Sequence, residues 1–287
     1  MPSVIDLRHR IRSVKSTTQL TKAMKSVSAA KLKRFQGLVL QTRPYAERLK
    51  GILRQIVARD SQITHPFFQN REEKRVTLVV IAGDKGLCGA FNTNTLKFAE
   101  AKIGELSQNR EVALSVLGKK GVDYFRFRER EMLFSKAGLL SKPSYEGSLE
   151  ISERLIESFL DGSTDAVYLL YNKFHSVSRS EVVLEKWLPI PPVVAAGEEP
   201  FPGYEFEPSA EEIFKAMLPA YMKNGFYRIL LESMASEQAA RMMAMEMATQ
   251  NATEVVASLI LEMNKIRQTS ITGEILEITT ASEAMKR

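Results

Sequence analysis

Two long helical patterns, one at each end of the chain, constrain its fold more than any other feature. The first runs from Val4 to about Ala58 and the second from Ser209 to Ala284; each has apolar residues three and four positions apart and one internal proline. With a rise of 1.5 Å per residue they would extend roughly 80 Å and roughly 110 Å, against about 40 Å for a domain of this size. The sequence therefore predicts a projecting rod, which favours a mechanical or linking role over catalysis.

The two helices are expected to pack on each other. The first meets the middle of the chain with its C-terminus and the second with its N-terminus, so side-by-side packing must be antiparallel, as in a coiled coil. The second helix is longer by roughly twenty residues at 1.5 Å each, so its last turns should project beyond the pair. Its predicted seam alternates by three and four residues: Leu231, Ala235, Gln238, Met242, Met245, Thr249, Ala252, Val256, Leu259, Met263, Ile266, Ser270 and Gly273.

Between these helices the pattern changes to alternating strands and helices. The β-branched run from Val76 to Ala82 is typical of a strand buried on both faces, and strand–helix–strand alternation indicates a mainly parallel sheet. Predicted strands are 76–82, 111–117, 132–135, 165–174 and 180–187, with helices at 92–106, 119–127 and 148–160. The last two strands are expected to form an antiparallel pair. The predicted fold is a mixture of α+β and α/β classes, in which a long antiparallel coiled coil joins a central Rossmann-like domain.

The chain is accordingly divided into four predicted segments. Residues 1–60 form the N-terminal coiled-coil helix and residues 75–195 the α/β domain. Residues 189–208 form a connector that holds six of the eleven prolines, and residues 209–287 form the C-terminal coiled-coil helix.

The net charge of +6 is unevenly distributed. The first 60 residues hold 14 Lys and Arg against 3 Asp and Glu, a net charge of +11, while the rest of the chain is slightly acidic. A basic helix of this kind is either a solvated face or a surface for nucleic acid, anionic lipid or an acidic protein. Aromatic residues for stacking on bases are sparse there, with only Phe35 and Tyr45. A basic coiled-coil protein that binds nucleic acid, or has a purely structural role, stays open as an alternative.

Several classes of function are disfavoured by composition. The three histidines are scattered without metal-ligand spacing, and Cys88 is the only cysteine, so no disulfide forms within the chain. No apolar run approaches the ~20 residues of a membrane helix, and the N-terminal residues lack the apolar stretch of a signal peptide. We therefore expect no metal, no cofactor and no direct insertion into a membrane.

The glycine-rich loop after the first strand is the one place where a nucleotide site is conceivable. Gly83, Gly86 and Gly89 match neither the Walker pattern nor the dinucleotide pattern, so a tight strand-to-helix turn is favoured, with Asp84 and Lys85 as surface contacts. The carboxylates of Glu274 and Glu277 lie on an exposed helix and are interpreted as solvated or partner-facing rather than as an acid–base pair. No catalytic group is predicted on this chain.

Three segments resemble the gamma subunit of F-type ATP synthases, bacterial type. They lie in the expected order: residues 11–32 with Thr21-Lys22-Ala23-Met24-Lys25, residues 84–92 with Asp84-Lys85-Gly86-Leu87-Cys88-Gly89, and residues 232–242 continuing to 264–278 with Ile266-Arg267-Gln268-Thr269-Ser270. Ser16, Gln238 and Gly273 depart from residues that are common in the family. The regulatory insertion of the chloroplast form, with its cysteine pair, is absent.

The resemblance implies the central shaft of the rotary motor, which couples proton-driven rotation of the c ring to ATP synthesis or hydrolysis. It also implies a peripheral membrane protein on the cytoplasmic face of the bacterial plasma membrane. The implied partners are the alpha, beta and epsilon subunits and the c ring, without nucleic acid. The implied contacts with the ring of alpha and beta subunits are Lys22, Met24, Lys25, Arg267, Gln268 and Glu274. The implied contacts with the c ring and epsilon are Asp84, Lys85, Gly86, Leu87 and Cys88.

Overall fold

The chain divides into two units of local packing. The computed structural model describes residues 3–59, 65–69, 71–141, 144–190 and 205–285. Residues up to Ser28 pack with those from Met242 onward, and we call this the terminal unit; residues from Ala29 to Arg241 form the central unit. Two long helices, α1 (Val4–Arg59) and α5 (Ala210–Ala284), run through both units. Most of the predicted connector, residues 191–204, lies outside the described residues.

Helix α1 begins at a reciprocal cap. The Asp6 N–H donates to the Ser3 hydroxyl oxygen at 3.1 Å, and the Ser3 N–H donates to a carboxylate oxygen of Asp6 at 3.1 Å. These bonds satisfy N–H groups that have no partner within the helix. The hydrogen bonds from Ser3 lower the pKa of Asp6, because they favour its charged form.

In the terminal unit the two helices pack antiparallel, as predicted. Leu7 and Ile11 of α1 are buried against Leu259 of α5, with a rim of half-buried Val14, Val256, Ile260, Met263 and Ile266. Further along α1, Thr21 and Thr249 share a hydrogen bond of 2.7 Å between their hydroxyls, and Lys25 forms an ion pair with Glu246. Residue numbers rise along α1 as they fall along α5. The antiparallel pairing is therefore confirmed.

The apolar packing of α5 against α1 ends at Ile266, before the predicted end of the seam at Gly273. From Arg267 to Ser282 every residue is exposed except Gly273, which is half-buried. Ser270, a residue of the predicted seam, is exposed and lies beyond Ile266, the last α5 residue of the apolar cluster with α1. The last turns of α5 thus present their side chains to solvent or to another molecule.

The central unit is built on a five-stranded sheet in the order β3-β2-β1-β4-β5. Its strands are β1 (Arg75–Ile81), β2 (Glu111–Leu117), β3 (Phe134–Lys136), β4 (Ala166–Ser176) and β5 (Arg179–Leu188). The first four strands are parallel, while β4 and β5 pair antiparallel, as expected. The helices are α2 (Phe91–Leu106), α3 (Lys119–Phe127) and α4 (Tyr145–Leu160), with a 3₁₀ turn at Pro66–Phe68.

The core of this unit follows from the apolar run of β1. Its residues from Val76 to Ile81 are all buried, and Leu78 and Val80 pack with Leu96 of α2 and Phe125 of α3. Helix α4 begins three residues earlier than predicted. Its cap is Ser144, whose hydroxyl oxygen accepts the Gly147 N–H at 3.0 Å, so the helix starts at Tyr145.

Candidate partner-binding sites

The loop that joins β1 to α2 is held at its base by an asparagine. The Gly83 N–H donates to Asn92 Oδ1 at 2.8 Å, and Asn92 Nδ2 donates to the Lys85 carbonyl oxygen at 3.2 Å. A Cβ atom at Gly83 would lie 3.0 Å from Asn92 Oδ1 and 3.1 Å from Glu237 Cδ, so glycine lets the backbone approach both side chains closely. The loop is a tight strand-to-helix turn, which agrees with the interpretation favoured from its sequence.

Asp84 faces into the protein, and the expectation that its side chain is a surface contact is wrong. Only 9% of the residue is exposed. Its Oδ1 accepts the Lys119 N–H at 2.9 Å and the Gly138 N–H at 2.8 Å, and its Oδ2 accepts the Ser141 N–H at 2.8 Å. The carboxylate therefore joins its own loop to the start of α3 and to the loop that follows β3, because N–H groups from both segments point at it.

The outer part of the loop consists of Lys85, Gly86 and Leu87, which we call the loop tip. Lys85 is exposed and Gly86 is half-buried. Leu87 is 64% exposed and has a φ of +60°, a left-handed conformation that is rare for leucine. Since exposing a leucine in a strained conformation costs free energy, the surrounding structure must hold the tip in place.

Cys88 lies behind the tip and is only 2% exposed. Burial raises the pKa of its thiol, which is the larger influence, while the nearby positive charge of Arg241 acts in the opposite direction. Asn92 Nδ2 is 3.2 Å from its sulfur. Like Asp84, Cys88 supports the loop from inside and offers no exposed thiol.

We expect Cys88 to remain a free, slowly reacting thiol. Because its pKa is raised, the thiolate fraction at neutral pH is reduced, and labelling by N-ethylmaleimide should be at least about tenfold slower than that of a small free thiol. The labelling rate should keep rising with pH beyond the range in which an ordinary thiol levels off. A labelling rate at neutral pH equal to that of a small free thiol would contradict this expectation.

A buried ion pair on α5 reaches the same loop. Arg241 Nη2 donates to Glu237 Oε1 at 2.5 Å, and the two residues are 7% and 4% exposed. The same guanidinium donates to the carbonyl oxygens of Lys85 and Gly86 at 3.2–3.3 Å. Sequence reasoning assigned no role to this pair. The available signal was a Glu and an Arg four residues apart in a segment that otherwise holds small and apolar residues and one glutamine, Gln238.

The electrostatics of the pair follow from its burial. Burial raises the pKa of Glu237 above its ordinary value and is the dominant influence, while Arg241 and, more weakly, Lys31 act in the opposite direction. A buried carboxylate of this kind is held by its guanidinium partner, and removing either member would leave the other without compensation. The pair is thus a structural link between α5 and the loop.

The remaining predicted contact residues lie in the terminal unit. Lys22 is exposed, Met24 is half-buried, and half-buried Lys25 is paired with Glu246. Arg267, Gln268 and Glu274 are all exposed and follow Ile266, the last half-buried residue of the seam before Gly273. The structure places these two groups of residues on α1 and on α5, and it does not bring them into a single constellation.

A groove of about 780 Å³ lies in the central unit between α1, β5 and α5. Its charged walls are largely paired: Arg43 with Glu47, Arg228 with Glu232, and Glu185 with the hydroxyl of Tyr171. In the part of the chain that the structure describes, no three His, Cys, Asp or Glu residues are grouped as metal ligands, and no helix is long and apolar enough to cross a membrane.

Paired terminal helices and a central sheet with one antiparallel edge define a mixed α/β protein, and its exposed predicted contact residues lie on helix surfaces and at the loop tip. The sequence model described as ATP synthase matches residues 3–285. ATP synthase gamma chains from Solibacter usitatus and Pelotomaculum thermopropionicum are 45% and 42% identical in sequence to this protein. The first alignment covers 99% of this chain and of its relative, and the second covers 100% of each. The chain therefore belongs to the ATP synthase gamma chain family.

Solved structures agree with this assignment. A chain in the central stalk and c ring of the Tetrahymena thermophila mitochondrial ATP synthase is 27% identical, with a TM-score of 0.60, and the match covers 80% of this chain and 99% of that one. A chain in the F1 and c-ring structure of the Euglena gracilis mitochondrial enzyme is 19% identical, with a TM-score of 0.66 over 98% of this chain and 94% of that one, which supports the fold alone. None of these matches supports the alternative of a nucleic-acid-binding protein.

Proposed function

We propose that this chain is the central rotor shaft of an F-type ATP synthase and couples proton-driven rotation of the c ring to ATP synthesis or hydrolysis. The observation that carries the proposal is the antiparallel helix pair of the terminal unit, from which α5 continues with exposed side chains after Ile266. An unpartnered helical end of this length suits insertion into a surrounding ring of subunits. Rotation of an asymmetric helix pair would present a different face to each catalytic subunit and shift its conformational equilibrium.

We assign the contacts with the alpha and beta subunits to the terminal unit. Four of the six assigned side chains are exposed and polar or charged, Met24 and Lys25 are half-buried, and exposed apolar residues such as Leu20 and Ile271 lie on the same helices. Exposed apolar patches on a helix mark interaction surfaces. The assigned residues are Lys22, Met24, Lys25, Arg267, Gln268 and Glu274.

The basic surface of α1 supports an acidic partner. Arg8, Arg10, Arg12 and Lys15 are all exposed, as is Lys22. Attraction between exposed charges is long-ranged and screened by salt, so it steers and centres a rotor without locking it at one angle. Acidic segments on the beta subunits would supply the opposite charge.

We assign the contacts with the c ring and the epsilon subunit to the loop from Asp84 to Cys88. Within it, Lys85, Gly86 and Leu87 form the tip that a partner would touch, while Asp84 and Cys88 shape the loop from inside. A crosslink from the loop tip to a beta subunit, with none to the c ring or the epsilon subunit, would contradict this assignment and indicate that the tip contacts the ring of alpha and beta subunits.

In this proposal the chain has no catalytic site of its own, binds no cofactor and acts as a non-catalytic subunit of the complex. It is a peripheral protein on the cytoplasmic face of the bacterial plasma membrane, held there by the c ring. The functional division retains a shaft of residues 1–60 and 209–287, a base of residues 75–195 and a connector of residues 189–208.

Affinity purification of the chain from its own cells tests the proposal directly. We expect a hexameric ATPase to co-purify with it, and the chain freed from alpha and beta subunits to hydrolyse no ATP, because no catalytic group is assigned to it. Recovery of the chain without that ATPase, or steady ATP turnover by the highly purified chain, would overturn the proposal.

A further inference from the structure

The loop tip is tied to α5 by the guanidinium group of Arg241. Arg241 Nε lies 3.3 Å from the Gly86 carbonyl oxygen, and its Nη2 lies 3.2 Å from the same oxygen and 3.3 Å from the Lys85 carbonyl oxygen. Both acceptors belong to the tip, directly before Leu87. The contact joins residues about 155 positions apart in the sequence and brings the shaft helix onto a surface loop.

Arginine is suited to this link because its planar group carries five N–H donors in a fixed fork. Three acceptors are engaged here: two loop carbonyls and the carboxylate of Glu237. A lysine ammonium is a compact charge on a flexible stem and lacks this planar fork, so it would hold the same three acceptors less firmly. Glu237, one helical turn before Arg241, aims the guanidinium and balances its charge in a site from which water is largely excluded.

We propose that Glu237 and Arg241 are positioning residues that fix the loop tip to α5, so that a turn of this part of α5 carries the tip with it. Leu87 holds a left-handed conformation while 64% exposed, and it is the residue presented by this arrangement. Asp84 anchors the inner end of the loop to the sheet edge, and Arg241 anchors the outer end to the helix. Only the identity of the partner that the tip touches rests on the proposed function.

The reactivity of Cys88 offers a direct measurement of this link. Cys88 is the only cysteine of the chain and lies shortly after Lys85 and Gly86, whose carbonyl oxygens Arg241 binds. A loop tip that moves away from α5 should therefore expose the Cys88 thiol. We expect Arg241→Met in the full-length chain to raise the labelling rate by N-ethylmaleimide about tenfold, because charged hydrogen bonds to the loop are lost. Arg241→Lys should fall between Arg241→Met and the parent chain.

Arg228→Met is the matched control. Arg228 also pairs with a glutamate four residues away on α5, with Nη1 2.7 Å from Glu232 Oε1, but its side chain is 41% exposed and, among the described residues, donates no hydrogen bond to the loop. Its removal should change Cys88 labelling by less than about twofold, because Arg228 and Glu232 line the groove between α1, β5 and α5 and not the loop. Labelling of Arg241→Met at the parent rate, or an equal increase in Arg228→Met, would overturn the proposal.

A purely structural role is separated by stability and by binding. Fluorescence of Trp187, the only tryptophan, reports unfolding in urea. If Glu237 and Arg241 hold the loop tip, Cys88 of Arg241→Met should be labelled faster than in the parent chain at urea concentrations well below the unfolding midpoint of the variant. If Arg241→Met fails to fold, hydrogen exchange of the amides from Lys85 to Cys88 is measured in Glu237→Gln in its place. Protection of these amides equal to that in the parent chain would contradict the proposed link between the loop tip and α5.

A photoreactive leucine analogue at position 87 should crosslink less to its partner in the assembled complex of Arg241→Met. Failure of the parent chain to join that complex would instead count against the proposed function.

Discussion

Asp84→Ala is expected to lower the free energy of unfolding of the central unit by about 3 kcal/mol or more, because each unsatisfied buried donor costs roughly 1–3 kcal/mol. The three donors are the N–H groups of Lys119, Gly138 and Ser141, all within 2.9 Å of the carboxylate. Urea unfolding followed by the fluorescence of buried Trp187 measures the effect. Crosslinking from the loop tip should also weaken, since the loop loses its inner anchor.

Asp84→Asn tests the hydrogen bonds alone, because asparagine has nearly the same size and shape as aspartate. Its amide oxygen can still accept from Lys119 and Gly138, but its NH₂ group would face the Ser141 N–H, so the loss should lie between the parent and the alanine variant. Asp123→Ala, at an exposed aspartate of α3, is the control and should stay within about 0.5 kcal/mol of the parent. Equal stability of the parent and Asp84→Ala would mean that water or other acceptors replace the carboxylate.

The architecture was predictable because it depends on local patterns. The buried β-branched run predicted β1 to within one residue at each end. Apolar residues spaced three and four positions apart predicted both long helices. The antiparallel pairing followed from connectivity alone, since both helices join the same central segment. These features depend on hydrophobic periodicity, which is recorded along the sequence itself.

The interior of the candidate site was not predictable in the same way. The acceptor role of Asp84 depends on backbone N–H groups 35 to 57 positions away, and a backbone group leaves no mark in the sequence. An aspartate in a glycine-rich loop is therefore usually interpreted as a surface residue. The role of Glu237 and Arg241 was not predictable for a related reason, because a Glu and an Arg four residues apart on a helix most often form an exposed ion pair.

The role of the residues at the end of α5 depends on a partner, because their side chains are exposed. Arg267 and Gln268 follow Ile266, the last seam residue packed against α1, and both are exposed. An arginine can form a two-pronged hydrogen bond to a carboxylate or to loop carbonyls, and a glutamine adds a donor and an acceptor. Glu274 lies seven residues further on, about two turns along the same helix.

We expect Arg267→Ala with Gln268→Ala to leave assembly of the complex intact and to lower its ATP hydrolysis at least several-fold. Hydrogen bonds to charged groups contribute roughly 1.5–3 kcal/mol, and about 1.4 kcal/mol of barrier corresponds to a tenfold change in rate, so losing one such bond in the rate-limiting state is sufficient. ATP turnover and proton pumping should be measured on complexes of verified subunit composition. The control is Lys97→Ala with Gln108→Ala, which removes the same kinds of exposed side chain from the central unit, where no contact is assigned. If turnover and pumping in the α5 variant match those of the control, the coupling depends on the shape of the helix pair and not on these hydrogen bonds.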